Sequence, residues 1–438
     1  MYIAIKRELA DVWLGFTTWR GPNRPLAEAA RRKGTENFAI IAAALLPWST
    51  SIAGIFALAF TIAFLTTANW SAFFRSLRHP ASITALAVCV VALLGLFWAV
   101  DIPWSERLRG LSPIGKFLGI PVLIYYFGQS ERRHYLFFAF VGSCTILMLY
   151  SWIVLFFPHL SIHYKSDQPG VPVKNYIDQS QGFALCVFAL AAIAVEAYRK
   201  QQRAIAISAA IIAAALAANL AFVNVSRTAL VYSPVIAVMF AYRYLSGKQF
   251  WIALLTLVLA VAGLWAVSPN LQHKTSAVFA EYKVRMTDRG PSSVGERLEY
   301  WNKSIRFIEA APVLGHGTGS TKTLFQRDAV GKTGLSALVP GNPHNQTLMF
   351  AIQWGLVGCL ALYAMWITHL WTFRDGGLIA WIGLVAVVQN ILSSLFNSHL
   401  SDFYQGWLYV LVVGIAASTI YGSADAREAP ADPNPDRR

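Results

Sequence analysis

Charge is what this chain has least of. Only 13% of its 438 residues are charged, 56% are hydrophobic and the mean hydropathy is +0.48, which excludes an ordinary water-soluble globular protein. Cysteine is sparse too. Cys89, Cys144, Cys186 and Cys359 all fall inside apolar runs, with neither metal-ligand spacing nor a pairing pattern, so they read as small apolar residues. There is no phosphate-loop motif and no dinucleotide fingerprint, which argues against ATP-driven transport and redox chemistry. The outward-facing turns carry no acidic pair of the Asp-x-Asp type, so divalent-metal-dependent sugar transfer has no evident ligand set, and no cofactor is called for. The basic segment up to Gly34, broken by "GPNRP", lacks the apolar stretch of a cleavable signal peptide.

What is present in quantity is long apolar sequence. A helix needs about 20 mostly apolar residues to cross a bilayer. Runs near 37–50, 52–68, 82–100, 111–128, 134–157, 176–197, 204–223, 227–242, 249–268, 345–371, 377–396 and 402–421 suggest about twelve such helices. They are continuous, without the period-2 alternation of a barrel strand, so the expected fold is an all-α polytopic membrane protein. Around "LLPWSTS" the first two runs read either as two short helices or as one longer kinked helix.

The net charge of +14 is spread over short turns, with no compact basic domain, so nucleic acid is not an expected partner. With a cytoplasmic N-terminal segment (1–36), every second turn is basic: Arg75 and Arg78; Arg132 and Arg133; Arg199, Lys200 and Arg203; Arg243 and Lys248; Arg374. That alternation is what the positive-inside rule asks. It divides the chain into helices over 37–268, one large outward loop over 269–343, helices over 344–421 and a polar, Pro-rich tail over 422–438, expected to be disordered and cytoplasmic.

Within the large loop, Ser293 and Glu296 have capping-box spacing. Val294, Leu298, Trp301, Ile305 and Ile308 then repeat at helical spacing, predicting an amphipathic helix on the outer membrane surface. Pro312 and the glycines of "GHGTGS" (315–320) stop it; that turn reads as structural, with His316 a minor candidate.

The polar residues with chemical potential gather on the outward side. His344 and Asn345 stand at the mouth of the helix "PHNQTLMFAIQWGLVG". His344 and Gly355 are eleven residues apart, which on one continuous helix puts them on nearly one face, with Gly355 and Gly358 letting another helix pack closely. His344 is compatible with an interfacial helix cap or with a positioned reactive group. Arg227, in "NVSRTALV", runs against the topological charge bias, which favours an anionic partner over a snorkelling side chain. Arg297, in "GERLEYW", suits either a solvated helix face or a bidentate grip on phosphate. His159, His163 and His399 show no spacing that separates them from interfacial histidines.

The segment His344, Asn345, nine residues, Gly355, two residues, Gly358 resembles the signature of bacterial O-antigen ligases, and "NVSRTALV" and the segment from Arg297 to Ser320 are similar to the same superfamily. The resemblance implies a GT-C-like glycosyltransferase of the inner membrane. It would transfer O-antigen polysaccharide, at the periplasmic face, from undecaprenyl pyrophosphate to a sugar hydroxyl of lipid A-core in lipopolysaccharide biosynthesis, without metal and with inversion. His344 would be catalytic, Arg227 and Arg297 would bind pyrophosphate, and Asn345, Gly355 and Gly358 would support the motif. Whether His344 takes the acceptor proton or orients the donor stays open at this level. An O-antigen polymerase and a protein O-oligosaccharyltransferase share these features. A lipid-linked oligosaccharide flippase would instead be expected to carry ionisable residues deep in its spans and internal repeats, and neither is seen.

Overall fold

The computed structural model describes residues 24–162, 168–288 and 293–428. The start of the expected cytoplasmic segment (1–23), His163 and the last ten residues (429–438) lie outside them.

All twelve apolar runs fall on helices. They are α1 (Arg24–Leu45), α2 (Thr50–Thr67), α3 (Trp70–Ser76), α4 (Pro80–Leu94), α5 (Trp104–Gly115), α6 (Gly119–Gly128) and α7 (Arg133–Phe156). Then follow α8 (Tyr176–Arg199), α9 (Arg203–Phe222), α10 (Arg227–Tyr244), α11 (Lys248–Val267) and α12 (Pro269–Asp288). The remainder are α13 (Ser293–Ala310), α14 (Ser320–Ala329), α15 (Gln346–Arg374), α16 (Leu378–Ser393) and α17 (Phe403–Glu428). Among the described residues there is no strand, and the chain is a polytopic α-helical membrane protein.

Among the described residues eight helical segments are long and apolar enough to cross a membrane, or nine if α3 and α4, bent by 91°, make one broken span. This is fewer than the runs suggested, for physical reasons. The first half of α1 carries charge, and α16 is only 16 residues long. α16 nevertheless sits at the centre, with twelve of its residues buried, whereas no residue of α11 is buried. A helix wrapped by other helices need not match the lipid thickness. "LLPWSTS" proves to be a turn: α1 ends at Leu45, and Ser49 caps α2 by accepting a hydrogen bond from the Ile52 N–H.

Three of the five basic turns touch one another, and a fourth is tied to α1. Arg243 donates to the Arg374 and Gly376 carbonyls, Arg199 to the Tyr244 carbonyl, and Arg132 to Asn37. α17 keeps its helical backbone to Glu428, past the end expected at 421.

Candidate active site

The His344 motif is not one straight helix. Gly355, inside α15, has φ +57 and ψ −146, so two helical arms, 346–354 and 356–374, meet at a sharp break. In a continuous helix Thr347 and Tyr363 would be about 24 Å apart along the axis; here their hydroxyls lie 2.9 Å apart, so the arms fold back on one another. The expected shared face for His344 and Gly355 is therefore replaced by a hinge. Nor does a neighbouring helix use the glycines. A Cβ on Gly355 would overlap the Val313 carbonyl oxygen, and one on Gly358 would fall 2.6 Å from the Trp354 Cβ across the break.

The break frees four backbone groups that an unbroken helix would pair, and the 312–317 segment supplies a partner to each. His316 N–H and Gly317 N–H donate to the Ile352 and Gln353 carbonyls at 2.9 and 2.8 Å, while Leu356 N–H and Val357 N–H donate to the Pro312 and Val313 carbonyls at 2.8 and 3.3 Å. Unpaired, such buried groups would each cost about 1 to 3 kcal/mol. This splice explains "GHGTGS": a Cβ on Gly315 would come within 2.5 Å of the Gln353 carbonyl carbon, and one on Gly317 equally close to Ala99. His316 belongs to the splice too, its Nε2–H donating to the Phe307 carbonyl at 2.8 Å.

Ahead of this hinge, the first arm is tied down at its start. Asn345 caps it, its Oδ1 accepting from Leu348 N–H and its Nδ2 donating to the Leu395 carbonyl, both at 3.0 Å. Buried Gln346 donates its backbone N–H to the Ser394 carbonyl and accepts from Leu400 N–H through Oε1. His344 itself is held at φ +54, where a non-glycine residue pays about 1 to 2 kcal/mol, with its N–H donated to Asn342 Oδ1. Its ring stacks on Tyr300 of α13 at 5.9 Å.

The half-buried His344 ring has a defined second partner. Nδ1 lies 2.9 Å from Asn397 Oδ1, and Asn397 Nδ2 donates to Asp402 Oδ2 at 3.1 Å. An ionised carboxylate only accepts, so Asp402 assigns the amide orientation, Asn397 Oδ1 must accept from His344 Nδ1–H, and the lone pair falls on Nε2. Nε2 makes no hydrogen bond among the described residues. Burial lowers the His344 pKa; the Asn397 bond and Glu296 act upward and Arg297 downward. Burial raises Asp402 to about 6, against the opposing pull of Lys116.

Arg227 and Arg297 come together as the sequence suggested, lining one open cavity of about 510 Å³ with Tyr176, Thr228, Leu298, Trp301 and Phe396. Phe396 is the neighbour of Asn397, which joins the cavity to the His344 side, and Arg297 is close enough to act on the His344 ring. α8, α10 and α13 all begin at this cavity, through Tyr176 and Ile177, Arg227 and Thr228, and Ser293 and Val294. Three positive helix ends and two guanidinium groups make a site for an anion. The apolar stripe of α13 is divided: Val294, Leu298 and Trp301 face the cavity and Ile305 is exposed, while the buried face is Tyr300, Lys303 and Ser304. Lys303 pairs there with Asp328 at 2.9 Å, and Tyr300, Phe307 and Ile308 pack with Phe325 and Ile352, so α13 is docked on the protein by a mixed polar and apolar face.

Asn397, Asp402 and His399 carried no motif in the sequence; their one visible signal was the polar run 397–402 between two apolar helices. His399 is wholly buried beside this site, its Nδ1 accepting from Gln181 Nε2 at 3.0 Å, and so is not an interfacial histidine. Among the described residues no three His, Cys, Asp or Glu side chains converge as a metal-ligand set.

Residues 212–363 match the model of the O-antigen ligase family, a segment that contains Arg227, Arg297, His344, Gly355 and Gly358. An uncharacterised protein of Haemophilus influenzae is 23% identical over 193 residues, 40% of this chain and 48% of the relative. The match thus spans about half the length of that curated relative.

Proposed function

We propose, from the O-antigen ligase match over residues 212–363 and the cavity that segment helps to build, that the chain is a membrane glycosyltransferase acting as an O-antigen ligase. It takes O-antigen polysaccharide from undecaprenyl pyrophosphate and joins it to a sugar hydroxyl of lipid A-core, at the periplasmic face of a bacterial inner membrane, on a GT-C-like scaffold. The observation that carries this reading is the convergence of Arg227, Arg297 and three helix N-termini on one cavity, with a histidine beside it whose Nε2 lone pair is open.

The chemistry follows from the groups in place. The pyrophosphate leaving group needs charge stabilisation more than a proton, and two arginine forks supply charge-assisted hydrogen bonds worth about 1.5 to 3 kcal/mol each. The acceptor hydroxyl attacks the anomeric carbon from the face opposite the pyrophosphate, inverting it. The bond from that carbon to the phosphate oxygen breaks, its electron pair staying on the oxygen, and the hydroxyl proton passes to His344 Nε2. A ring held below the ordinary imidazole range stays unprotonated and ready to accept. Asn397 and Asp402 keep it in the required tautomer.

The test is a reconstituted transfer assay with undecaprenyl pyrophosphate-linked glycan as donor and three acceptors offered separately: lipid A-core, a second lipid-linked glycan and a protein. Transfer to lipid A-core, undiminished by EDTA, is the expected result. Transfer only to the second lipid-linked glycan would make it a polymerase, and transfer only to protein an O-oligosaccharyltransferase. Loss with EDTA and rescue by a divalent ion would overturn the metal-independent mechanism.

A further inference from the structure

A third cation stands against a residue of this cavity's wall. Lys274, on α12, places its Nζ 4.3 Å from the centre of the Tyr176 ring, and Tyr176 lines the cavity beside Arg227. The first turn of α12 is pinned to the end of α9: Ser268 Oγ donates to the Ala221 carbonyl at 2.5 Å and accepts from Leu271 N–H at 3.2 Å. Thr275 accepts from Trp265 Nε1 at 2.9 Å, tying the next turn to α11. The ammonium is thus carried to the Tyr176 ring by an anchored helix.

The Arg227 guanidinium acts on this ammonium. Burial first, and then the Arg227 guanidinium, hold the Lys274 ammonium below the ordinary lysine range. Among the described residues Lys274 makes no ion pair with a carboxylate. An anion at this cavity would meet both of these cations together with the positive ends of α8 and α10.

We infer that Lys274 is a pyrophosphate-binding residue that meets the negative charge gained by the leaving group, so that the cavity selects a lipid diphosphate over a lipid monophosphate. This rests on the glycosyltransferase reading above. A diphosphate joined to lipid at one end and sugar at the other carries two negative charges. When the bond to the anomeric carbon breaks, the electron pair stays on the phosphate oxygen and the lipid pyrophosphate carries a third, while the acceptor proton has gone to His344. Arg227, Arg297 and Lys274 together match that final charge. Lys274 therefore binds the product and the late transition state better than the donor.

The experiment measures undecaprenyl pyrophosphate and undecaprenyl monophosphate binding to the purified full-length chain by native mass spectrometry, in wild type, Lys274→Met, Lys274→Arg and Arg297→Met. Melting temperatures are recorded for each. Lys274→Met should weaken the pyrophosphate about tenfold or more, the size of a lost charge-assisted contact, and leave the monophosphate nearly unchanged. Lys274→Arg should restore most of the preference. Unchanged pyrophosphate affinity in Lys274→Met, or equal weakening of both lipids, overturns the inference. Should Arg297→Met also leave both affinities unchanged, the cavity is not a phosphate site and the functional reading falls with it; weakening by Arg297→Met alone sinks only the role of Lys274.

Discussion

The two ends of the His344 motif, only eleven residues apart, solve opposite problems. At the Gly355 end, the four backbone groups freed by the break are each paired by the 312–317 segment, and the glycines there leave no room for a side chain. At the His344 end, the neighbouring groups are paired so that one atom, Nε2, is left without a partner among the described residues. The spacing of the motif therefore joins a reactive group to the joint that holds it in place. One end should fail by losing chemistry and the other by losing structure.

The sharpest way to separate them is His344→Gln. Removing a positioned base costs about 100- to 10,000-fold in turnover, with binding and melting temperature little changed. Asn397→Ala, which leaves the ring but frees its tautomer, should cost about tenfold by the worth of one hydrogen bond. Measured in the reconstituted transfer assay, equal losses in the two variants would deny the histidine its own chemical part.

Gly355→Ala tests the opposite end. Alanine at φ +57 and ψ −146, a region left almost wholly to glycine, costs about 1 to 3 kcal/mol before any clash with the Val313 carbonyl is counted. The expected result is a melting temperature lower by several degrees and a poorer yield of folded protein, with activity lost in proportion to the folded fraction. A variant of wild-type stability but no activity would show that Gly355 serves the chemistry directly.

The smallest effect concerns acid. Burial, with help from Arg297 and His344, lowers His399 from 6.5 to about 3, so between those values the unfolded chain holds the extra proton, and stability is lost as pH falls below 6.5. Asp402 runs the other way: raised from 3.8 to about 6, it gives the folded chain the extra proton over that interval, and stability is gained as pH falls. The two oppose each other between about pH 6 and 4. In Asp402→Asn the melting temperature should fall more steeply with acid than in wild type, and parallel slopes would remove one of the two groups from the balance.

The helices and the gathering of Arg227, Arg297 and His344 were legible because each leaves a local mark: a long apolar run, an isolated cation, a spaced motif. What was hidden depends on distance in sequence. Gly355 announced itself only as a small residue, since a positive φ is fixed by Pro312 and Val313 across the break and not by its neighbours. Asn397 and Asp402 acquire meaning through a histidine more than fifty residues earlier. The burial of Lys303 on α13 was hidden because it depends on Asp328 and the Ser336 carbonyl, which satisfy it from more than twenty residues away.

The splice at Gly355 also decides which part of the loop can move. Because the 312–317 segment completes the hydrogen bonding of a buried helix, lifting the loop would strand polar groups on both sides at once, at a cost comparable to a large share of a protein's stability. The 312–317 part of the loop is thus part of the wall and not a door. On the function proposed above, a lipid-linked donor would have to reach the arginines by another side of the cavity, such as the one lined by Val231, which is exposed on α10.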